Sequence, residues 1–253
     1  MCLIVFAWRP GHAQPLVLAA NRDEFHARAT QPLGEWADNP GLYAGRDLQA
    51  GGTWLGITAE GRFAALTNIR DPRQPPGERS RGELPVGFLR SQESPEQYLR
   101  KVAGQANTYG GFNLLVGNRD ALWFLNAQEG QPRALPSGLH GVSNAGLDTP
   151  WPKLQRAKAA LAATLDEPQP QHLLELLADP TRAADADLPD TGIGLSGERL
   201  LSSIFIHSED YGTRASSVLL VTADGSQRFI ERSFDNQGQA CGDVELVLPG
   251  SVG

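Results

Sequence analysis

The chain has 253 residues, of which 40% are hydrophobic and 20% are charged, and its formal net charge at pH 7 is −7. This composition predicts a soluble globular protein with a substantial core, and no apolar stretch is long enough to span a membrane. The negative charge argues against nucleic acid or an anionic membrane as the main partner. The only cysteines, Cys2 and Cys241, are too few for a disulfide scaffold. We expect a cytoplasmic protein that forms a single domain over residues 1–253.

Apolar runs bounded by turn residues predict short strands, most of them paired in hairpins. These runs lie at 3–8, 16–20, 53–57, 62–67, 112–116, 121–125, 203–206, 216–221, 227–231 and 244–248. Segments that open with a serine cap or a proline predict helices at 94–106, 152–165 and 170–178. The polar stretch at 21–49 is predicted to be mostly turns, and the arginine- and proline-containing segment at 70–82 is predicted to be an exposed binding loop.

The order of these elements predicts the fold class. Strands occur in consecutive hairpins at both ends of the chain, and the helices cluster between them, which is not the alternation of a doubly wound parallel sheet. We therefore expect an α+β fold with two stacked, mainly antiparallel sheets and helices covering their outer faces.

Cys2 is the first candidate for chemistry. Small residues at position two commonly allow removal of the initiator methionine, and Cys2 would then carry both a thiol and a free α-amine. The amine, with a pKa of about 7.7 to 8.0, is well placed to accept the proton of a thiol whose pKa is about 8.5. The alternative is that Cys2 is a small buried hydrophobe at the start of a strand.

The tetrad Asn21-Arg22-Asp23-Glu24 follows the second predicted strand. Taken alone, four polar residues at a strand end indicate a solvated turn. In a hairpin, however, they can approach Cys2, where a guanidinium would favour the thiolate and a carboxylate could hold the α-amine.

Several motifs together identify a family resemblance. They are Met1-Cys2-Leu3-Ile4, the Asn-Arg-Asp-Glu tetrad, Gly51-Gly52-Thr53-Trp54-Leu55-Gly56, Thr67-Asn68, Ser143-Asn144-Ala145, Pro150-Trp151-Pro152-Lys153-Leu154 and Tyr211-Gly212-Thr213-Arg214. In this order they resemble the NRDE family, which includes eukaryotic transport and Golgi organisation proteins. That family is similar to N-terminal nucleophile hydrolases of the bile-salt and penicillin V acylase type, which implies a four-layer αββα sandwich.

The resemblance also implies site residues. Cys2 matches the nucleophile, Arg22 the first arginine, Asn68 and Asn144 the oxyanion-hole asparagines, and Arg214 the late arginine. Asp23 corresponds to the acylase aspartate, but here it directly follows Arg22, and neighbours on a strand point to opposite faces. Either the tetrad is a turn, or Arg22 and Asp23 do different jobs. The same motifs supply Asn21, Glu24 and Trp54 as predicted substrate-binding residues.

Two functions remain open at this stage. The first is a hydrolase that cleaves the amide or related acyl bond of a small-molecule substrate through an acyl-cysteine. The second, suggested by what the family is associated with, is a non-catalytic protein that binds and carries haem, a lipid or an acyl thioester in the same pocket. No resident cofactor is expected, although His26, His207 or Cys2 could ligate a transported haem.

Two other motifs are set aside. The histidines have no zinc-type spacing, so no metal site is expected. The glycine-rich motif at 192–197 follows an acidic loop instead of a strand, which argues against a dinucleotide site.

Overall fold

A computed structural model describes residues 2–250, which form two antiparallel sheets with strands numbered in chain order. The first sheet contains, in spatial order, β10 (Gly138–Val142), β1 (Cys2–Trp8), β2 (Leu16–Phe25), β11 (Tyr211–Val221), β12 (Gln227–Phe234) and β13 (Ala240–Leu248). The second contains β3 (Thr30–Trp36), β4 (Asn39–Asp47), β5 (Leu55–Thr58), β6 (Phe63–Asn68), β7 (Phe112–Gly117), β8 (Leu122–Asn126) and β9 (Arg133–Ala134). The helices are α1 (Glu83–Arg90), α2 (Pro95–Ala103), α3 (Pro152–Thr164), α4 (Pro170–Leu177) and α5 (Gly194–Leu200).

The side chains of β1 point alternately into two different cores, which shows how the layers of the fold are arranged. Ile4, Phe6 and Trp8 point into a core between the two sheets. Leu3 and Val5 point the other way, into a core shared with α3 and α4. Because side chains alternate along a strand, a strand buried on both faces must be apolar throughout. With α1 and α2 covering the outer face of the second sheet, the predicted four-layer αββα sandwich is confirmed.

Several local predictions are confirmed as well. β1 and β2 form the expected antiparallel hairpin. In α2 the Ser94 hydroxyl accepts a hydrogen bond from the Gln97 backbone amide, and the Gln97 side chain accepts one from the Ser94 amide. This reciprocal capping box fixes the start of the helix.

Two local predictions are wrong, and two helices were missed. The stretch at 21–49 is not mainly turns, since it contains the last part of β2 and all of β3 and β4. The segment at 203–206 is a loop instead of a strand, and it runs past the buried side chain of Asn21, which binds the Ile204 carbonyl. Two short helices, α1 and α5, were not predicted.

The loop at 70–82 is fixed to the second sheet along its length. Its Gly82 carbonyl accepts a hydrogen bond from the Thr53 amide at 3.0 Å, and the Gln74 side chain accepts one from the Gly111 amide at 3.1 Å. A Cβ on Gly52 would lie 2.3 Å from the carbonyl carbon of Gly82, so only glycine allows this approach. The segment is therefore held in place by residues that flank β5 and β7.

Within residues 2–250, no helix is both long and apolar enough to cross a membrane.

We expect Gly52→Ala to destabilise the protein by about 1 to 3 kcal/mol, because the new methyl group must push the Gly82 backbone away. Gly242→Ala is the matched control, since a Cβ there meets nothing within 4 Å. Urea unfolding of both variants measures the difference. Equal stability of the two variants would show that the loop is not held by this contact.

Candidate functional site

The β1–β2 ladder places Cys2 directly opposite Arg22. Directly opposed residues share a face of the sheet, and this face is the one between the two sheets. The Cys2 side chain is half-buried at the wall of a cleft of about 580 Å³. Arg22, Trp54 and Asn68 line the same cleft. The thiol is therefore not sealed in hydrocarbon, and Asn68 lies on the wall of the same cleft.

Arg22 is held in a fixed position beside the thiol. Its Nη1 donates a hydrogen bond to the Thr30 hydroxyl at 3.1 Å, and its guanidinium carbon lies 4.3 Å from the centre of the Trp54 ring. A Cβ on Gly45 would lie 2.4 Å from that ring, so the glycine makes room for Trp54. The guanidinium is a buried positive charge that favours the ionised form of Cys2.

Asp23 points to the opposite face from Arg22, because the whole tetrad lies within β2. Its Oδ1 accepts a hydrogen bond from the hydroxyl of Thr213 at 2.8 Å, and its backbone carbonyl accepts one from the hydroxyl of Tyr211 at 2.9 Å. Burial raises the pKa of its carboxyl, and the positive charge of Lys153 opposes that rise. Arg22 and Asp23 therefore act on different faces of one strand.

The thiol itself is not an activated thiolate. Burial raises the pKa of Cys2 and the Asp23 carboxylate raises it further, while the Asp23 backbone amide and Arg22 lower it. Since the net shift is upward, the thiol is protonated at neutral pH. Nucleophilic attack by Cys2 therefore requires a base.

Lys153 lies in the first turn of α3, against the face of the sheet that carries Asp23, and its side chain is 2% exposed. Its Nζ has no hydrogen-bond partner within residues 2–250. Burial lowers the pKa of this amine to about 8, although Asp23 raises it. An ammonium group is rarely buried in this way without a function or a counter-charge.

The two predicted oxyanion residues are placed differently. Asn68, at the end of β6, lines the cleft beside Cys2, and its carboxamide makes no hydrogen bond with residues 2–250. Asn144 is 1% exposed, and its Nδ2 donates to the Asn68 backbone carbonyl at 2.8 Å. Asn144 does not line this cleft, and its contact is with the backbone that carries Asn68.

Two further predicted residues lie outside the cleft. Asn21 is 1% exposed, and its Nδ2 donates to the carbonyls of Leu177 and Ile204, so it joins β2 to α4 and a loop. Arg214 occupies a bulge in β11, and its Nη1 donates to backbone carbonyls of the turn after β2. The structure therefore brings neither side chain to Cys2.

Glu24, a predicted substrate-binding residue, lines the cleft, with its Oε2 3.8 Å from the Nε of Arg28. Two charged residues whose charges act on the thiol, Arg81 and Lys153, were not predicted. Lys153 was part of the tryptophan-proline motif that helped identify the family, but a lysine near a helix start ordinarily indicates a solvated position. Arg81 had no signal beyond the richness of its loop in arginine.

The candidate metal and haem ligands are not grouped together. Within residues 2–250, no three histidine, cysteine or carboxylate side chains are grouped as metal ligands. Of the candidate haem ligands, Cys2 lines the cleft, whereas His26 and His207 do not. Nine of the residues that line the cleft are charged.

We expect wild type to lose stability relative to Lys153→Met as the pH falls from about 10 to about 8. The pKa of Lys153 is lowered from 10.5 to about 8, so the folded state binds fewer protons in this range and is favoured at the higher pH. The full difference is about 3 kcal/mol below pH 8. Urea unfolding at several pH values measures it, with Lys101→Met, whose side chain is 63% exposed, as the control. A difference independent of pH would contradict the burial of a charged amine.

Comparisons with known proteins agree with this architecture. The chain is 36% identical over 257 residues to the Transport and Golgi organization 2 homolog of Mus musculus, covering 92% of this chain and 93% of that protein. It is 28% identical over 263 residues to Transport and Golgi organization protein 2 of Drosophila melanogaster, covering 92% of each.

Among solved structures, the fold is similar to that of the mutant C2A conjugated bile acid hydrolase from Clostridium perfringens. The TM-score is 0.55 at 8% sequence identity, with 97% of this chain and 92% of that chain covered. This likeness shows a shared fold. The profile of the family Transport and Golgi organisation 2 matches residues 1–236. The chain belongs to the Transport and Golgi organisation 2 family.

Proposed function

We propose that the protein is an N-terminal cysteine hydrolase that cleaves an amide or related acyl bond through an acyl-cysteine. The observation that supports this most directly is the position of the Cys2 thiol at the wall of the cleft, beside Arg22 and Asn68. A nucleophile, a fixed positive charge and a neutral hydrogen-bond donor are the groups that acyl transfer needs.

The proposed mechanism begins with removal of Met1, which frees the α-amine of Cys2. Because Cys2 is paired antiparallel with Arg22, its backbone nitrogen lies on the side of Asp23. The amine takes the thiol proton as the sulfur attacks the acyl carbon, and the tetrahedral oxygen accepts a hydrogen bond from the Asn68 carboxamide. The amine then passes the proton to the leaving nitrogen. A water molecule then attacks the acyl-cysteine and gives a proton to the same amine. The acid leaves, and the amine returns the proton to the sulfur, which restores the thiol.

The raised pKa of Cys2 supports this route. A thiol that is protonated at neutral pH cannot attack without a base, and no histidine lines the cleft. The freed amine supplies that base from within the same residue. Removal of Met1 thus controls whether the protein is active.

The fold likeness to a conjugated bile acid hydrolase supports hydrolase chemistry on this scaffold. Both cysteines are free, and we place the reaction in the cytoplasm, where a reduced thiol persists.

A second candidate is a carrier that holds a lipid or acyl thioester in the same cleft. The neutral thiol and the apolar side chains of Trp54, Leu66 and Ile69 on the cleft wall favour it. A carrier would bind the ligand without breaking it, so turnover separates the two candidates.

The first experiment compares two forms of the protein, one beginning at Cys2 and one with the amine blocked by formylation, on a panel of N-acyl amides and thioesters. We expect turnover only from the free form, and a mass increase at Cys2 that corresponds to the acyl group. Cys2→Ala should abolish both, and Cys241→Ala should change neither. Saturable binding of a ligand without turnover by any form would identify a carrier.

We expect Asn68→Ala to lower kcat by about 100-fold to 1,000-fold, because the tetrahedral oxygen loses its donor. KM should change little, since the interaction strengthens only in the transition state. Asn107→Ala, which removes an exposed carboxamide, is the control. Unchanged kcat for Asn68→Ala would exclude this residue from the oxyanion hole.

A further inference from the structure

The charges that line the Cys2 cleft are numerous and of both signs. The basic ones are Arg22, Arg28, Arg79 and Arg81, and the acidic ones are Asp23, Glu24, Asp47, Asp71 and Glu78. A charge that already pairs with another side chain of the protein is less available to bind a substrate.

Several of these charges form ion pairs within the protein. Arg28 pairs with Asp47 at 2.7 Å and lies 3.8 Å from Glu24. The remaining pairs use residues beside the cleft, where Asp71 binds Arg73 and Arg79 binds Glu83.

Glu24 and Glu78 keep a negative charge that these pairs do not balance, because Arg28 carries one positive charge and Asp47 already matches it. The side chain of Asp23 points to the other face of its strand, towards Lys153 and Thr213. Glu78 is exposed on the loop at the rim of the cleft.

Two guanidiniums next to the thiol have no such carboxylate. Arg22 contacts the Thr30 hydroxyl and the Trp54 ring, and Arg81 donates to the Gly111 carbonyl at 3.1 Å. Neither has a carboxylate oxygen of residues 2–250 within ion-pair distance. Burial lowers the pKa of both arginines, and the charges of an ionised Cys2 and of Glu24 raise it.

We propose that Arg81 binds an anionic group of the substrate beside Cys2, so that the cleft selects acyl compounds that carry a carboxylate or a phosphate. This inference rests on the proposed function only in calling the ligand a substrate. Binding of an anion at Arg81 does not require hydrolysis. Arg81 has no carboxylate of residues 2–250 within ion-pair distance, although the charge of Glu24 acts on it from farther away. Such a half-buried guanidinium gains charge-assisted hydrogen bonds when an anion binds. Arg22 is committed to Trp54 and to the thiol, which leaves Arg81 to hold the anion.

The backbone around Arg81 is fixed before any ligand binds. Gly82, the next residue, accepts the Thr53 amide and lies against Gly52, and the Arg81 side chain itself is tied to Gly111. Little side-chain entropy is then lost on binding, which favours recognition of a small anion. The position of Arg81 is a property of the fold and does not need a closing lid.

The test compares alkylation of Cys2 by iodoacetate and by iodoacetamide, which differ in charge but attack the same thiolate. Dividing the two rate constants cancels any change in the pKa of the thiol. Exposed Cys241 in the same molecule gives the reference ratio. We expect the iodoacetate-to-iodoacetamide ratio at Cys2 to exceed that at Cys241 by about tenfold, as expected for a charged cleft.

Substitutions then assign the effect to a residue. Arg81→Met should lower the Cys2 ratio to that of Cys241, and Arg81→Lys should keep most of it. Arg79→Met removes the same charge from the same loop but from a guanidinium already paired with Glu83, so it should change the ratio less than about threefold. Equal ratios at Cys2 and Cys241 in the wild type, or an Arg81→Met ratio like that of the wild type, would overturn the proposal.

Competition identifies the anion. Protection of Cys2 from iodoacetamide by acetate assigns a carboxylate, protection by inorganic phosphate assigns a phosphate ester, and protection by neither counts against the site. If the alkylation ratio depends on Arg81 while no acyl compound is hydrolysed, the proposed function fails and the anion site stands. If amides are hydrolysed with no preference for anionic ones, the proposed function stands and this inference fails.

Discussion

The register between β1 and β2 is the constraint on which the site depends. Because Cys2 lies opposite Arg22, the period of two along β2 sends Arg22 towards the thiol and Asp23 towards the helices. A shift of one residue would exchange the two faces and place the carboxylate in the cleft. The same shift would exchange Leu16 and Leu18 with Val17 and Ala19 between the two cores, so the packing of both cores opposes it.

The charged side chains near β2 interact strongly with one another because they are buried. Arg22 and Asp23 are 5% and 1% exposed, and Arg70 and Glu198 form an ion pair at 2.6 Å with each side chain 4% exposed. Burying such groups costs several kcal/mol per ion before pairing is counted. Three apolar cores, one between the sheets and one outside each sheet, supply the stability that offsets this cost. The polar residues of the site thus lie within a sandwich that apolar packing stabilises.

Much of the fold could be predicted, because its central strands are apolar runs between clear turns. β3 and β4 were missed because polar residues, prolines and glycines interrupt their apolar residues. α1 was missed because it contains Pro85 and Gly87, residues that disfavour helix. Its Gly87 is explained only by packing, since a Cβ there would lie 2.5 Å from the hydroxyl of Tyr98.

The candidate site was predictable in part. Cys2, Arg22 and Asn68 stood in recognisable motifs, and the structure places all three at one cleft. The surroundings of Arg81 and Lys153 could not be predicted, because each reaches the site from a segment distant in sequence and its role depends on burial. The unusual adjacency of Arg22 and Asp23 became interpretable only when the tetrad proved to be strand.

The separation of Arg22 from Asp23 has an evolutionary consequence. Mutations in the loop that carries Arg81 change the wall of the cleft, whereas mutations in α3 change the surroundings of Asp23. Because the Asp23 carboxylate also raises the pKa of Cys2, descendants of this chain must keep these two layers of the sandwich matched.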